Sequence, residues 1–584
     1  MRSLLALVLA AVLGVPVQAQ RYSQIVKCFG DSSSLDHATL PPTQGISATL
    51  YSRGEATICD STNRPKIYLR SGLTTVDSIR LYNSLNQAIE NSDSLAGGAM
   101  FQLAGCILPI PDTDNMYMYI AWSGPTPLFP QAQYGVYYSV VDMNANGGKG
   151  RVIQKNILLF AVQLSYHMAV CKHANGRDWW ILVHEAGSSN FYKLLLTLNG
   201  LSLHDTQAIG TPYSSNSIYR LGGSDFSFEG TVLVSVTAQG IVERFDFNRC
   251  TGQLANPVFL GRQPLLTFSS ASTDFAARYI GIHFTRRNKC YIFTTDTIYQ
   301  YDLFASQLVN KTYCWYDTTN TNPLNGGIGN TYYNSESNKL FFRIKNINVS
   351  PQPIFEPDDY YLGVIEEPDS MGAACKVRSR GLYFNGRLAP AGFGPRINYN
   401  LGALGKAYVW PQNDLTEGPP PVCAGDSVRL GEYFSEPGVS YLWQPAAGLS
   451  CTTCHAPKAA PNQTTTYTLY TTSTNACGLP ADTATVTVTI QPPTAVNVNL
   501  GADRTICAGD SLTLGVGPVK DVVYAWNTDA TTPSIGIRPA QTTTYILQAE
   551  DTSGACGAVL AIDTVVVTVL PRGVLTATLP PDTA

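Results

Sequence analysis

The sequence predicts an all-β chain: an N-terminal β-propeller of about seven blades, followed by two tandem immunoglobulin-like β-sandwiches. Three observations predict it. Through the first 400 residues, short runs of aromatic and β-branched residues alternate with Gly, Asn and Asp turns, which is strand and hairpin chemistry. One strand ending recurs there at nearly constant spacing. Beyond residue 421 a different pattern occurs twice, about eighty residues apart. Composition agrees: charged residues are 14% against 44% apolar, with 32 Tyr, 49 Gly and 36 Pro, which favours strands and turns over helical bundles.

The chain begins with export signals. Met1-Arg2-Ser3 is a short positive region, Leu4 to Val15 an apolar core too short to span a bilayer, and Val17-Gln18-Ala19 ends in the small residue a signal peptidase needs. Residues 1–19 are therefore expected to be a signal peptide; the bland alternative is a buried N-terminal helix. No later run is long enough for a transmembrane segment. The net charge of −4, without a basic stripe, argues against a nucleic-acid partner. At 584 residues the chain needs several domains. All 14 cysteines lie after Ala19, and export makes disulfides their default state. Eight of them fall in the N-terminal part, where spacing does not reveal the pairing.

The recurring ending is an apolar or aromatic run, then Asp or a substitute, then a loop. It appears as Leu81-Tyr82-Asn83, Val141-Asp142-Met143, Leu196-Thr197-Leu198, Phe245-Asp246-Phe247 and Tyr301-Asp302-Leu303, with a weaker copy at Val364-Ile365-Glu366. The steps are 59, 55, 49, 56 and 64 residues, the length of a four-stranded blade plus loops. The propeller is placed at 22–410, with a stack of β-sandwiches as the alternative. A Pro-rich linker follows at 411–421.

The second pattern starts with Cys423-Ala424-Gly425-Asp426-Ser427 and again with Cys507-Ala508-Gly509-Asp510-Ser511. Each copy then shows a Trp (Trp443, Trp526), a Thr-rich strand ending in Tyr467 or Tyr545, and a late cysteine (Cys477, Cys556). This Cys–Trp–Cys rhythm predicts sandwiches at 422–491 and 496–571, with Cys423 paired to Cys477 and Cys507 to Cys556. Residues 572–584 repeat the run before Cys507, so a truncated third module is expected to begin there.

Several stretches carry a family resemblance: Phe29-Gly30-Asp31, Tyr137 to Asp142, Asn146 to Gly150, His173-Ala174-Asn175-Gly176-Arg177-Asp178-Trp179-Trp180, Val242 to Phe247 with Thr251-Gly252, and Tyr361 to Ile365 with Pro368. They resemble the exported β-propeller proteins of Bacteroidetes, which continue into PKD-like or immunoglobulin-like modules and end in the gliding-motility-associated, type B sorting domain of type IX secretion. The match is specific around 134–193 and loose elsewhere, and the sorting domain has no counterpart here. It implies an adhesive cell-surface or secreted protein and hands over no catalytic residues.

Cys451-Thr452-Thr453-Cys454-His455 has the spacing of a haem attachment site, but it sits inside a sandwich pattern with Pro457 behind it, so a local Cys451–Cys454 disulfide is expected. Phe29-Gly30-Asp31-Ser32 resembles an esterase nucleophile block, yet no His stands three residues after an Asp to serve it. Asp142 to Gly147 matches half of a calcium loop, but Ile153 stands where the bidentate Glu belongs, and a hairpin turn explains the same residues. His167, His173 and His184 are near in sequence; blade packing is favoured over metal ligation for His173 and Asp178. Trp179 and Trp180 are expected in a blade core rather than on a sugar-binding surface. Asp178, Glu185, Asp225 and Glu243 are the carboxylates a glycosidase would need, and nothing in their spacing brings them together.

The expectation is thus an exported, non-enzymatic surface protein without cofactor, with a propeller that binds a glycan or protein ligand. A secreted carbohydrate-active enzyme and a purely structural spacer are the alternatives.

Overall fold

The computed structural model describes residues 26–573, apart from internal stretches of which the longest are 47–55, 71–78, 98–104, 124–132, 214–221, 263–280, 304–310, 317–325, 347–360, 384–401 and 410–418. The expected signal peptide, the Phe29-Gly30-Asp31-Ser32 block, most of the linker and residues 574–584 lie outside the described residues. The described chain is almost entirely strand and turn. It divides into two compact units, 1–415 with 432–440 and 470–483, and 416–431 with 441–469 and 484–584. Two segments of the expected first sandwich therefore pack with the first unit.

Among the described residues the first unit holds seven antiparallel sheets in chain order, the first two of three strands and the other five of four, each pairing strands consecutive in sequence. The repeated ending falls at the close of the third strand every time: Arg80–Asn83, Gly135–Asp142, Asn190–Thr197, Ile241–Phe247, Thr297–Asp302 and Tyr361–Ile365. Its polar residue organises the hairpin that follows. Asn83 Oδ1 accepts the backbone N–H of Leu85 and Gln87, Asp142 Oδ1 that of Asn144 at 2.8 Å, and the Thr197 hydroxyl that of Asn199 at 3.1 Å. These are the short side-chain-to-backbone turns that Asx and Thr residues favour. In later copies the same position takes a cation: Asp246 binds Arg244, Asp302 binds Lys289, and Glu366 binds Lys339 and Arg378.

First strands of neighbouring sheets lie against one another. Leu164–Lys172 packs on Gly222–Phe226, which packs on Gly281–Phe284, which packs on Gly326–Asn334. Both faces of the inner sheets are consequently buried, and Val232–Thr237 is buried at all six positions. Successive side chains on a strand point to opposite faces. Trp179 and Trp180 are placed by this rule in different layers. Trp179 joins the core shared with the third sheet, and Trp180 the core with Phe226, Leu233, Phe245 and Phe247 of the fifth.

In the second unit, residues 494–570 form a sheet in the order Thr494–Ala495, Ala558–Leu570, Thr543–Asp551, Val522–Trp526, with the pair Leu512–Gly515 and Ser534–Ile537 beside it. Trp526, Tyr545, Leu547, Val565 and Val567 are its buried centre. Trp443 and Trp526 are nearly buried, and each donates its indole N–H to a backbone carbonyl, of Cys454 at 3.0 Å and of Thr532 at 2.8 Å.

The Cys451–Cys454 bridge is the expected one, and the other two pairings differ from expectation. Cys477 is bonded to Cys250, Cys423 to Cys556, and Cys451 to Cys454, while Cys507 is an exposed free thiol. The reason is strand geometry. Cys507 pairs in register with Leu570, at the end of the 13-residue strand Ala558–Leu570, whereas Cys556 precedes the start of that strand. At about 3.3 Å per residue the two ends lie roughly 40 Å apart. A disulfide needs Cα atoms within about 7 Å, and those of Cys423 and Cys556 are 4.9 Å apart. Neither cysteine of this module sits on an inward-facing strand position, where an immunoglobulin-type bridge would form.

Candidate binding site

The Asn248–Gly252 turn closes the hairpin between the third and fourth strands of the fifth sheet. Asn248 Oδ1 accepts the N–H of Cys250 at 2.8 Å and of Thr251 at 3.2 Å, and Gly252 takes a left-handed φ of +69°. A Cβ there would strike the ring of Trp180. The turn carries Arg249 inward until it is 2% exposed. Arg249 Nε donates to the Lys172 carbonyl at 3.0 Å, and Nη2 to those of His173 at 3.3 Å and Gly402 at 2.5 Å. Its own carbonyl accepts from Trp180 Nε1 at 2.8 Å and from Ala174 N–H at 3.0 Å. Nη1 is buried without a hydrogen-bond partner among the described residues.

Residues 402–408 complete the neighbourhood. Leu404 N–H donates to Ala174 O, and Leu404 O accepts from Leu479 N–H, each at 2.8 Å. Gly405 N–H donates to Glu436 Oε2 at 2.8 Å, and Thr471 Oγ1 donates to Gly405 O at 2.6 Å. The Cys250–Cys477 bridge adds a covalent tie beside them.

Next to this bridge lies a cavity of about 640 Å³. Arg244, Asp246 and Arg249 form part of its wall on one side of the bridge and Asn475 on the other, with Glu229 and Ser435 among the remaining contributors. Arg244 and Asp246 are two apart on one strand, hence on one face, and are paired at 2.7 Å. Asp246 Oδ2 also accepts from Asn256 at 2.8 Å. Gln253 lines the cavity and donates to Asp205 at 2.9 Å. The neighbourhood of Arg249 is cationic. Burial first, then the charges of Arg249 and Lys406, push the Lys172 ammonium down to about 8. Burial raises the Glu436 carboxyl, with the Gly405 N–H and Arg249 pulling the other way.

His173 and Trp180 border Arg249 through these hydrogen bonds, whereas the expected carboxylates are not in the cavity wall and have local tasks. Asp178 accepts from Arg177 and Asn175, Glu185 from Ser188 and Asn190, and Glu243 from Thr211. Asp225 lies 3.9 Å from His283 Nδ1. His173 bonds the Cys250 carbonyl through Nε2 at 3.1 Å and accepts from Asn175 N–H through Nδ1. His184 is sandwiched among aromatic rings, and the side chain of His167 lies outside the described residues. In Asp142 to Gly147, Asn146 and Gly147 both adopt positive φ within the eight-residue connection between the strands Gly135–Asp142 and Arg151–Ala161. Cys451 and Cys454 are bonded to each other, which leaves no thiol for haem attachment. Among the described residues no group of three or more His, Cys, Asp or Glu could hold a metal ion, and no helix is long and apolar enough to cross a membrane. The cavity was not anticipated, because its wall gathers residues from 229–255, 404, 435 and 475. The one local signal was an Arg inside an Asn-x-Cys-Thr-Gly turn.

Comparison with family models and with curated proteins finds no match. Among solved structures, the chain is similar to a provisionally assigned 6-phosphogluconolactonase from Bacteroides fragilis, at 11% identity over 64% of this chain and 98% of that one, with a TM-score of 0.38. It is similar to the periplasmic gluconolactonase of Pseudomonas aeruginosa, at 12% identity over 51% and 82%, TM-score 0.32. It is also similar to the β-propeller domain of Cps50 (Swd1) from Myceliophthora thermophila, at 9% identity over 56% and 95%, TM-score 0.31. The chain is all-β, and its structural neighbours include β-propeller proteins.

Proposed function

We propose that this chain is an exported, non-enzymatic surface protein that binds a glycan in the cavity beside the Cys250–Cys477 bridge. In this reading the seven sheets close into a seven-bladed propeller, and the two Trp-centred modules are immunoglobulin-like or PKD-like elements of a stalk. The family reading, with its cell-surface placement and adhesive role, rests on the motifs around 134–193. The cavity carries the proposal. Its volume is that of a small-ligand site, and the side chains of Gln253, Ser435 and Asn475 offer neutral donors and acceptors suited to sugar hydroxyls.

The second reading, a secreted carbohydrate-active enzyme, is favoured by two carboxylates, Glu229 and Asp246, in the same wall. Asp246, however, spends its oxygens on Arg244 and Asn256, and Glu229 Oε2 accepts from Asn288 at 2.6 Å. One assay separates the readings. The purified chain is passed over immobilised polysaccharides, and the eluate is analysed for released sugars. Retention without products supports binding, products establish catalysis, and the absence of both on every polysaccharide refutes both readings.

A further inference from the structure

We infer that the cavity selects an acidic glycan, one bearing a uronate carboxylate or a sulfate, rather than a neutral one; the inference rests on the glycan-binding reading above. Two arginines line this single cavity, and each has a buried nitrogen, Arg244 Nε and Arg249 Nη1, without a hydrogen-bond partner among the described residues. The two differ in charge compensation. Arg244 is paired with Asp246. Arg249 is met by three carbonyl oxygens and by no carboxylate within ion-pair distance among the described residues. A guanidinium stays charged at any pH the protein meets, and burying its charge without a counter-ion is costly.

The carboxylates in the cavity wall are engaged elsewhere: Asp246 is paired with Arg244, and Glu229 Oε2 accepts from Asn288. Lys172 and Lys406 add positive charge close by, enough to help depress the Lys172 ammonium. Glu436 is the nearby carboxyl that senses Arg249, and it gives an oxygen to the Gly405 N–H while its burial favours the neutral form. An anion entering the cavity would relieve this imbalance. A carboxylate or sulfate on a sugar supplies the charge, and the hydroxyls of the same sugar suit Gln253, Ser435 and Asn475. Guanidinium groups favour planar or tetrahedral oxyanions, which they can engage with two parallel hydrogen bonds.

The test uses the full chain on a glycan array carrying neutral oligosaccharides beside their uronate and sulfated counterparts, at low and at physiological salt. We expect at least tenfold stronger retention on acidic members than on their neutral parents, weakening as salt rises. The uronate and sulfated members tell the two anions apart, and either satisfies the inference. Arg249 also clamps three backbone segments, so Arg249→Gln can unfold the site. Arg244→Gln is the informative variant: acid-selective retention should drop at least fivefold with the melting temperature preserved, and Arg244→Lys should restore part of it. Equal retention on neutral and acidic members, or a preference for neutral ones, overturns the inference and leaves the glycan-binding reading standing. No retention on any member overturns both. Acid selectivity unchanged in Arg244→Gln and in a folded Arg249→Gln places the anion elsewhere and overturns the inference.

Discussion

His184 offers a sharp test of how the fourth and fifth sheets pack. Its ring is fully buried, stacked on Tyr213 at 3.6 Å between centroids and edge-on to Phe191 at 4.5 Å. Nδ1 lies 2.8 Å from the Glu185 carbonyl, which only accepts, so Nδ1 carries the proton of the neutral ring. A second proton would have to sit on Nε2, which is buried. Burial pushes the imidazole down to about 4, against the partial support of the Glu185 carbonyl. In the unfolded chain the value is about 6.5. The folded value is the lower one, so His184 costs nothing above pH 6.5. Between 6.5 and 4 the unfolded chain takes up a proton that the folded chain refuses, and stability falls by about 1.4 kcal/mol per pH unit. From pH 7 to pH 4.5 the loss is about 2.5 kcal/mol. Other groups titrate in the same window, so the measurement is a difference: urea unfolding of the native chain and of His184→Gln at both pH values, followed by tryptophan fluorescence. The native chain should lose about 2.5 kcal/mol more than the variant. Equal losses in the two proteins would refute the buried, neutral imidazole.

Trp180→Ala should cost about 3–5 kcal/mol and lower the melting temperature by several degrees, because the indole fills the layer between two sheets and also donates to Arg249 O. Calorimetry measures it. Iodoacetamide should label Cys507 in the native chain and leave Cys106 untouched until unfolding, since burial pushes the Cys106 thiol up to about 12. Non-reducing peptide mapping of the same sample should recover Cys250–Cys477 and Cys423–Cys556 linked peptides; Cys423–Cys477 peptides would refute the pairing. Gly176→Ala should loosen residues 402–405, because Gly176 has a φ of +71° and its Cβ would strike the Ala403 backbone. Limited proteolysis should then cut there at a rate the native chain does not show. Tyr467→Phe removes a 2.9 Å bond to the Ala447 carbonyl and should cost about 1 kcal/mol by denaturant unfolding.

What was legible in the sequence is what local chemistry dictates. The polar residue that ends the third strand recurs six times at a fixed register, forming the following turn in the first three copies and meeting a cation in the last three, and its spacing marks six of the seven sheets. The adjacent tryptophans follow from two-residue alternation, which needs no long-range knowledge. The cysteine pairing was not legible. The Cys–Trp–Cys rhythm fits an intramodule bridge, yet a 13-residue strand keeps Cys507 and Cys556 at opposite ends. The cavity escaped for a similar reason: Arg249 and Asn475 meet across more than two hundred residues, and no periodicity reports on such a meeting.

The interleaving of the two long disulfides has a mechanical consequence. Cys423 lies between Cys250 and Cys477 in sequence, and Cys477 lies between Cys423 and Cys556. Along the backbone, Cys250 and Cys556 are 306 residues apart. Through the two bridges the shortest covalent route runs along the 54 residues from Cys477 back to Cys423. A pulling force applied beyond those two cysteines would travel that short segment in reverse. The remaining 252 residues of the span, 173 from Cys250 to Cys423 and 79 from Cys477 to Cys556, could not be drawn out beyond the reach of that segment. Fully extended, they amount to roughly 850 Å of contour length, at about 3.4 Å per residue. Under tension the oxidised chain would behave as a short tether, and reduction would release this slack.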